Sequence, residues 1–543
     1  MKILMTLIIL YSGFSLERAV LSLTGASDLS EISEEEFERY SHLAARPLRL
    51  NSATRSALLS CGILSSYQVE TLLDYRRRHG DILSVTELSV VNGFAGEIAY
   101  ALSPFLDFSP GNGLADGKLH LDGLEVVAGG GSKISEGKVT GQWRARSNIE
   151  AYGGNYGFGA AIGAKSPWNS RFSPPEGIGW NVHANAGKWL TEAVAGCFNL
   201  RFGQGLLIWS GSIFSSYDNP ASLMKRPSGI VPYKGWSPSY AMKGVCARMD
   251  FGAFSISPFA ALGQTMEYGG NVSWNHANGE IGASARISDA SRGCSIDFQQ
   301  TLGGAVLYGE ACLADDSPAV LLGATVPAGS FNIGARALWS GKEHNATSAL
   351  SYISENRKHS VNLGTSASYI PDKRSLSIKM QCQYSASVSE MICLTTKGTA
   401  ALKDKRKYGL RQDMSWDNGR ISAGARADAV HCVGTSVMLC ADFGGKGQAG
   451  KLGWSANIQS GAFLVDNWDD RIYVYMKDLP GSFSIPALYG RGWWVNAYAR
   501  MVTAHRLNIC LRVMYSAYPW AREGDVHKKP ALNAGMQLSW KLF

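Results

Sequence analysis

The stretch GKGQAGKL, Gly445 to Leu452, places Gly445, Gly450 and Lys451 at the spacing of a phosphate-binding loop. Such a loop wraps phosphates in backbone N–H groups and needs a Ser or Thr hydroxyl after its lysine to hold magnesium. Leu452 stands there instead, and strand-type alternation follows rather than a helix, so the stretch reads as a Gly/Lys turn. GFGAAIG, Gly157 to Gly163, lacks dinucleotide-binding spacing and also lies in strand-type sequence. There is no GxSxG, no HExxH and no paired metal-ligand cluster. The ten histidines, His79, His183, His344 and His431 among them, are scattered. The ten cysteines lie far apart without a CxxC pair, and they are expected to be mostly free thiols. No catalytic residue, metal or cofactor is therefore expected, and the chain is not read as an enzyme. A site assembled across strands without a motif stays open at this stage.

The elements that would have to position any site fall into two regions with different periods. Before them, MKILMTLIILYSGFS has one lysine, an apolar run from Ile3 to Leu10 and small residues at Ser12, Gly13 and Ser15. This pattern predicts a secretory signal peptide over residues 1–15 and an exported mature chain. That run is too short to span a bilayer, and nowhere else is there an apolar run long enough for a membrane-spanning helix.

Residues 28–107 read as a small helical domain. Ser33 with Glu36, Ser65 with Gln68 and Ser84 with Glu87 form three capping boxes. The first helix should stop before Pro47, Asn51 should cap a second short helix carrying Ala53, Ala57 and Leu58, and Gly80 should end the third.

From about Gly117 to Phe543 the period becomes two. SLSIKMQCQYSA sets Leu376, Ile378, Met380, Cys382, Tyr384 and Ala386 on one face, with Ser375, Ser377, Lys379, Gln381, Gln383 and Ser385 on the other. Similar segments recur, separated by turn signals such as Asn418-Gly419. The apolar face is often only alanine or glycine, and the polar face carries charge that a dry sandwich core would reject. Tryptophan and tyrosine recur at strand ends, as in interfacial girdles. The expectation is a mainly β chain: a large antiparallel transmembrane barrel over 117–543, with an even number of strands near two dozen, in contact with outer-membrane lipid. The net charge of +8 is spread along the chain and says little about nucleic acid. Gly203 to Tyr240 holds four prolines without sustained alternation, and is expected to fold into or across the lumen; the competing reading is a mobile external loop.

LRLNSATRSALLSCGILSSYQVETLLDYRRRHGDILSVTELSVVNGF resembles the tandem helix-hairpin-helix module of periplasmic DNA receptors in competence systems. FGQGLLIWSG (Phe202 to Gly211), KRPSGIVPY (Lys225 to Tyr233) and DDRIYVYMKDLPGSFSIPALYGRG (Asp469 to Gly492) resemble the helix-hairpin-helix-containing outer-membrane barrels of the Bacteroidota. The resemblance implies the architecture: a barrel in the outer membrane with its helical domain in the periplasm. It also implies candidate binding residues. In a DNA-binding hairpin, a glycine–apolar–glycine turn lets backbone N–H groups approach a phosphate. The matching turns here are Gly62-Ile63-Leu64 and Gly93-Phe94-Ala95, each without its second glycine, with Arg76, Arg77 and Arg78 as candidate cations. The arginines equally suit a helix C-terminus. On the phosphate reading, Leu64→Gly with Ala95→Gly should strengthen binding. The functional expectation is a transport, uptake or assembly component; the alternatives are a DNA-uptake channel or DNA receptor, and a scaffold that docks a periplasmic protein.

The final strand, MQLSWKLF, ends on an aromatic residue and resembles the signal read by the barrel-assembly machinery, with Phe543 as its contact. Deleting Phe543 should lower the yield of the heat-modifiable, membrane-inserted form on gels. Normal insertion of that variant would remove this role.

Overall fold

The computed structural model describes residues 16–542 except 25, 27–28, 30–31, 33, 46, 54, 95–96, 111–119, 154–155, 170, 173–176, 187–188, 212–218, 237–240, 264, 277, 357 and 522–528. The proposed signal peptide, Ser33, Ala95, Gly117 and Phe543 thus lie outside the described residues.

Alternation produces the wall. In Arg292–Leu302, Ile296 points outward and is 64% exposed, while Ser295 and Asp297 on the opposite face are 4% and 8% exposed. In Ser375–Ser387, Leu376, Met380 and Tyr384 face outward, as do Met536, Leu538 and Trp540 in Ala531–Lys541. An apolar outer face and a polar inner face are what a sheet bathed in lipid outside and lined with polar groups inside requires. The main sheet has 26 strands; two short pieces, Arg171–Phe172 and Gly229–Pro232, lie off the ring, which leaves a wall of 24. The first wall strand, His120–Ser135, pairs antiparallel with the last, Ala531–Lys541, from Glu125↔Lys541 to Ser135↔Ala531. That seam closes the ring, so no sheet edge meets lipid.

Tight turns join most neighbours. Gly303-Gly304 and Asp315-Asp316 have positive φ at both positions, the backbone that matches two-residue turns to strand twist. The motif-like Gly450-Lys451 is another two-residue reversal, with positive φ at Gly450, between Thr435–Ala449 and Leu452–Val465. The near mouth is the end at which residue 120 enters the wall. Three long connections, 202–241, 466–489 and 518–530, all leave the far mouth.

The N-terminal helices are Leu16–Thr24, Glu34–Ala45, Arg55–Ser60, Ser66–His79, Val85–Leu88 and Glu97–Leu102. Leu48–Arg49 and Leu106–Asp107 pair in parallel and tie the ends of the segment together. Leu58, Leu64, Val69, Leu72, Ile82, Leu88, Phe94 and Phe105 form its core. The Ser65–Gln68 capping box is reciprocal: Gln68 N–H donates to Ser65 Oγ at 3.2 Å, and Ser65 N–H to Gln68 Oε1 at 2.9 Å. Half of the Ser84–Glu87 box forms, Ser84 Oγ accepting the Glu87 N–H at 3.1 Å, while the Glu87 carboxylate takes the N–H of Leu83 at 2.9 Å instead of that of Ser84. Asn51 is a second correction. It caps no helix: its side chain accepts from Ile82 N–H and donates to Ile82 O, both at 2.8 Å. This buried amide pairs a distant strand-like segment, a partner that no local pattern announces.

The outward face makes a quantitative expectation. Ile296→Arg puts a cation on the lipid side and should destabilise the folded barrel by about 2–4 kcal/mol, as at a bilayer midplane. Denaturant unfolding in lipid vesicles measures it, with Leu302→Arg nearer a strand end costing less.

Candidate functional site

A ring of this size leaves a lumen far too wide for wall side chains to fill, and two of the far-mouth connections turn inward to fill it. The first begins where the wall strand Leu190–Arg201 leads into Phe202. Glu310, on the inner face and 3% exposed, accepts two backbone N–H groups through one oxygen, Gln204 at 2.7 Å and Leu206 at 3.0 Å. Arg336 donates to Leu223 O at 3.1 Å, on a neighbouring stretch of wall. Phe198, Leu200, Phe202, Leu207, Ile208 and Ile230 form a core with inward-facing Phe259, Cys246 and Cys312. The Pro-rich stretch flagged in the sequence therefore lies in the lumen over its described residues.

The second inward segment is 466–489. Asp470, fully buried, accepts the N–H groups of Val433 at 3.1 Å and Gly434 at 2.8 Å, fixing the segment to a far-mouth turn. Arg512 reaches Asp478 at 2.9 Å, and Asn496 donates to Lys477 O at 3.0 Å. Val474, Met476 and Ile472 pack on Met438, Phe463 and Trp494.

Arg144, buried on the second wall strand, Lys138–Gly153, joins the two. Its guanidinium lies 4.9 Å from the Trp236 ring of the first segment and donates to Gly481 O at 3.2 Å and Pro480 O at 3.3 Å in the second. A cation held over an aromatic face while its donors meet backbone carbonyls uses both sides of the planar fork, which lysine does not offer.

The N-terminal helices complete the closure. Phe37 meets Tyr475 and Phe483 of the second inward segment with ring centroids 6.1 and 5.2 Å apart. Glu17 pairs with Lys477 at 2.7 Å. Arg226 of the first segment donates to Ile63 O at 2.9 Å, and Arg55 bonds Asn275 near a near-mouth turn.

These contacts decide where the hairpin residues lie. Gly62 has φ +69°, and a Cβ there would meet Arg39 Nη1 at 2.7 Å. Arg39 also donates to Gly62 O at 3.2 Å. Ile63 and Leu64 are 1% exposed, part of the helical core. Leu64→Gly would thus remove a buried leucine, a loss of about 2–5 kcal/mol or more, rather than free a phosphate site. Gly93 has φ +86° and its carbonyl accepts Gln68 Nε2 at 2.8 Å; Phe94 is fully buried. The helix Ser66–His79 starts beside both turns and carries the arginines at its other end, roughly 15–18 Å away at 1.5 Å per residue. Turns and arginines do not converge. Arg76 turns back to Ala53 O at 2.9 Å and to Asn51 O, whereas Arg77 and Arg78 are exposed and share Asp74. The residues that sequence reasoning missed are Glu17, Phe37, Arg144, Lys477 and Phe483; the only signal was the unalternating run from Asp469 to Gly492.

No protein-family model and no curated protein sequence matches the chain. Solved structures to which the chain is similar include the P pilus usher PapC translocation pore, at 9% identity, covering 78% of this chain and 99% of that one with a TM-score of 0.41. A doubly substituted OccD1 (OprD) is 9% identical over 79% and 98%, with a TM-score of 0.27. Pseudomonas aeruginosa OccK2 (OpdF) is 9% identical over 79% and 98%, with a TM-score of 0.33. The assignment of a closed barrel rests on this chain's own strand pairing.

The ammonium of Lys477 holds the Glu17 carboxyl below its ordinary range, against the opposing effect of burial. A depressed carboxyl contributes docking stability that is present above its unfolded pKa and lost as pH falls through the lowered one. Relative to the intrinsic rate at each pH, hydrogen exchange in Leu16–Thr24 should stay slow at neutral pH and quicken only as pH falls below the ordinary carboxylate range. Lys477→Met should move that quickening to higher pH.

Proposed function

We propose that the chain is an outer-membrane transport channel held closed by its own inward segments, with the helical segment as a plug at the near, periplasmic mouth. The observation that carries this reading is the filling itself. A 24-strand ring with an apolar exterior encloses polar walls, and these are covered by chain segments tied through directional hydrogen bonds to Glu310, Arg336, Arg144 and Asp470. A barrel with only a structural task would be served by a narrower ring. An even strand count puts both chain ends of the wall on one side, and long connections on the far side suit an extracellular face. The helix-hairpin-helix reading of the N-terminal segment is retained as the account of its two glycine turns, serving here as packing corners.

Docking of a periplasmic protein partner is a second reading with its own support. Leu83, Val90, Ile98 and Tyr100 of the helical segment are 58%, 70%, 43% and 51% exposed, large apolar side chains turned away from its core. DNA uptake has less support. Among the described candidate phosphate contacts, only Arg77 and Arg78 are exposed side chains.

Planar-bilayer conductance tests the channel. The wild-type chain should conduct little, and replacing residues 471–486 by a short Gly/Ser linker should raise unit conductance several-fold. Arg144→Ala, which frees both segments at their junction, should produce frequent brief openings. A deletion variant that inserts normally and still carries no current would overturn the reading.

A further inference from the structure

The filling is lopsided. On the wall from Phe254 to Ser340, inward side chains such as Asn271, Ser284, Asp297 and Glu310 are at most 8% exposed, sealed by the first inward segment. On the arc from His344 to Leu402 the inner face stays open toward the far mouth: Lys379 and Thr399 are exposed, and Lys403 lies exposed in the turn above. Deeper on the same arc, Gln381 and Lys397 are again only 8% and 6% exposed. The far half of this arc is thus a vestibule above a closed floor.

A cavity of about 330 Å³ occupies it, lined by Lys379, Lys403, Asn345, Ser366, Ser368, Ser375 and Ser377. Strand register explains the grouping. Lys379 stands directly opposite Ser366, Ser377 opposite Ser368, and Ser368 opposite Asn345, so these side chains share the inner face as cross-strand neighbours. Their chemistry is narrow: two ammonium groups and a bank of hydroxyls. The one carboxylate, Glu343, accepts the Ser368 hydroxyl at 2.6 Å. No aromatic platform lines the cavity on which a sugar ring would stack. At the rim, Lys342, Lys373, Arg374 and Arg406 outnumber Asp372 and Asp404, a field that raises local anion concentration.

We propose that this vestibule is a binding site for small oxyanions, phosphate or phosphate-bearing solutes, on the external side of the closed lumen. Lys379 and Lys403 supply the charge and the hydroxyls of Ser366, Ser375 and Ser377 donate to the anion's oxygens, while Glu343 takes the Ser368 hydroxyl for itself and keeps the site from holding the anion too tightly to release it. The proposal rests on the channel reading for its meaning, since it names what the lumen would admit, but its measurement does not depend on current. The site faces the lumen rather than lipid, so the ligand is a dissolved oxyanion and not a lipid headgroup.

The full-length chain, purified in an uncharged, phosphate-free detergent at low ionic strength, is titrated with inorganic phosphate by calorimetry. Binding should be saturable in the millimolar range or tighter and should weaken as sodium chloride is added. Lys379→Gln with Lys403→Gln should weaken it at least tenfold, and Glu343→Gln should tighten it several-fold, with the heat-modifiable gel shift of each variant confirming an intact barrel. Unchanged affinity in the double variant, or no phosphate binding by the wild type, overturns the proposal. Neither result touches the conductance of the segment-deleted chain, so failure of this site and failure of the channel reading are told apart.

Discussion

A backbone that crosses lipid must pair every N–H and C=O within the protein, because hydrocarbon offers no partner and each unmet group costs several kcal/mol. The seam between His120–Ser135 and Ala531–Lys541 meets that demand, and most other features follow from it. Closure makes the strand count even when both ends lie on one side, and with one face against lipid it fixes which side chain of each pair points outward. It also creates an interior. A wall of 24 strands encloses more space than its own side chains reach across.

How that interior is filled differs from how a soluble core is filled. The inner wall is polar, so an apolar plug alone would leave its carboxylates and guanidiniums unsatisfied. The inward segments instead present backbone: N–H groups of Gln204 and Leu206 to Glu310, the carbonyl of Leu223 to Arg336, and carbonyls of Pro480 and Gly481 to Arg144. Irregular backbone at membrane depth is tolerated where protein surrounds it. Small apolar clusters sit between these anchors, around Phe198 and Ile230 on one side and around Met476 and Trp494 on the other. The hydrogen bonds set position, and the clusters supply burial.

The helical segment is attached more lightly. Among the described residues, its links to the inward segments are an aromatic trio, one partly exposed ion pair and single hydrogen bonds such as Arg226 to Ile63 O. A partly exposed ion pair contributes little on its own. Its internal core is by contrast continuous, from Leu50 through Leu72 to Phe105. A rigid body on weak attachments separates from its seat more readily than it unfolds. The two glycine turns that resemble phosphate-binding hairpins serve that rigidity, since Gly62 at φ +69° and Gly93 at φ +86° hold a backbone that L side chains rarely adopt, Gly62 against Arg39 and Gly93 against Gln68 and Tyr67.

The sequence by itself determined whatever depends on neighbours in the chain. Period-two alternation identified the wall and its outward face, from Leu376 to Trp540, because adjacent residues of a strand point to opposite sides. The Ser65–Gln68 box was legible because its partners are three residues apart, and the break in alternation after Phe202 marked a segment that is not wall. Tertiary structure decided the rest. That Arg76 is internal while Arg77 and Arg78 are free of the core depends on where Asn51 and Ala53 fall in space. That the first hairpin turn meets the lumen filling depends on Arg226, far along the chain, and that 466–489 enters the lumen depends on Arg144 and Arg512. Such pairings join residues tens to hundreds of positions apart, and each member is an ordinary polar side chain in its local sequence. Packing within the helical segment brings the first of them within hydrogen-bonding distance and the folded barrel with its inward segments brings the others, which is why no local pattern records them.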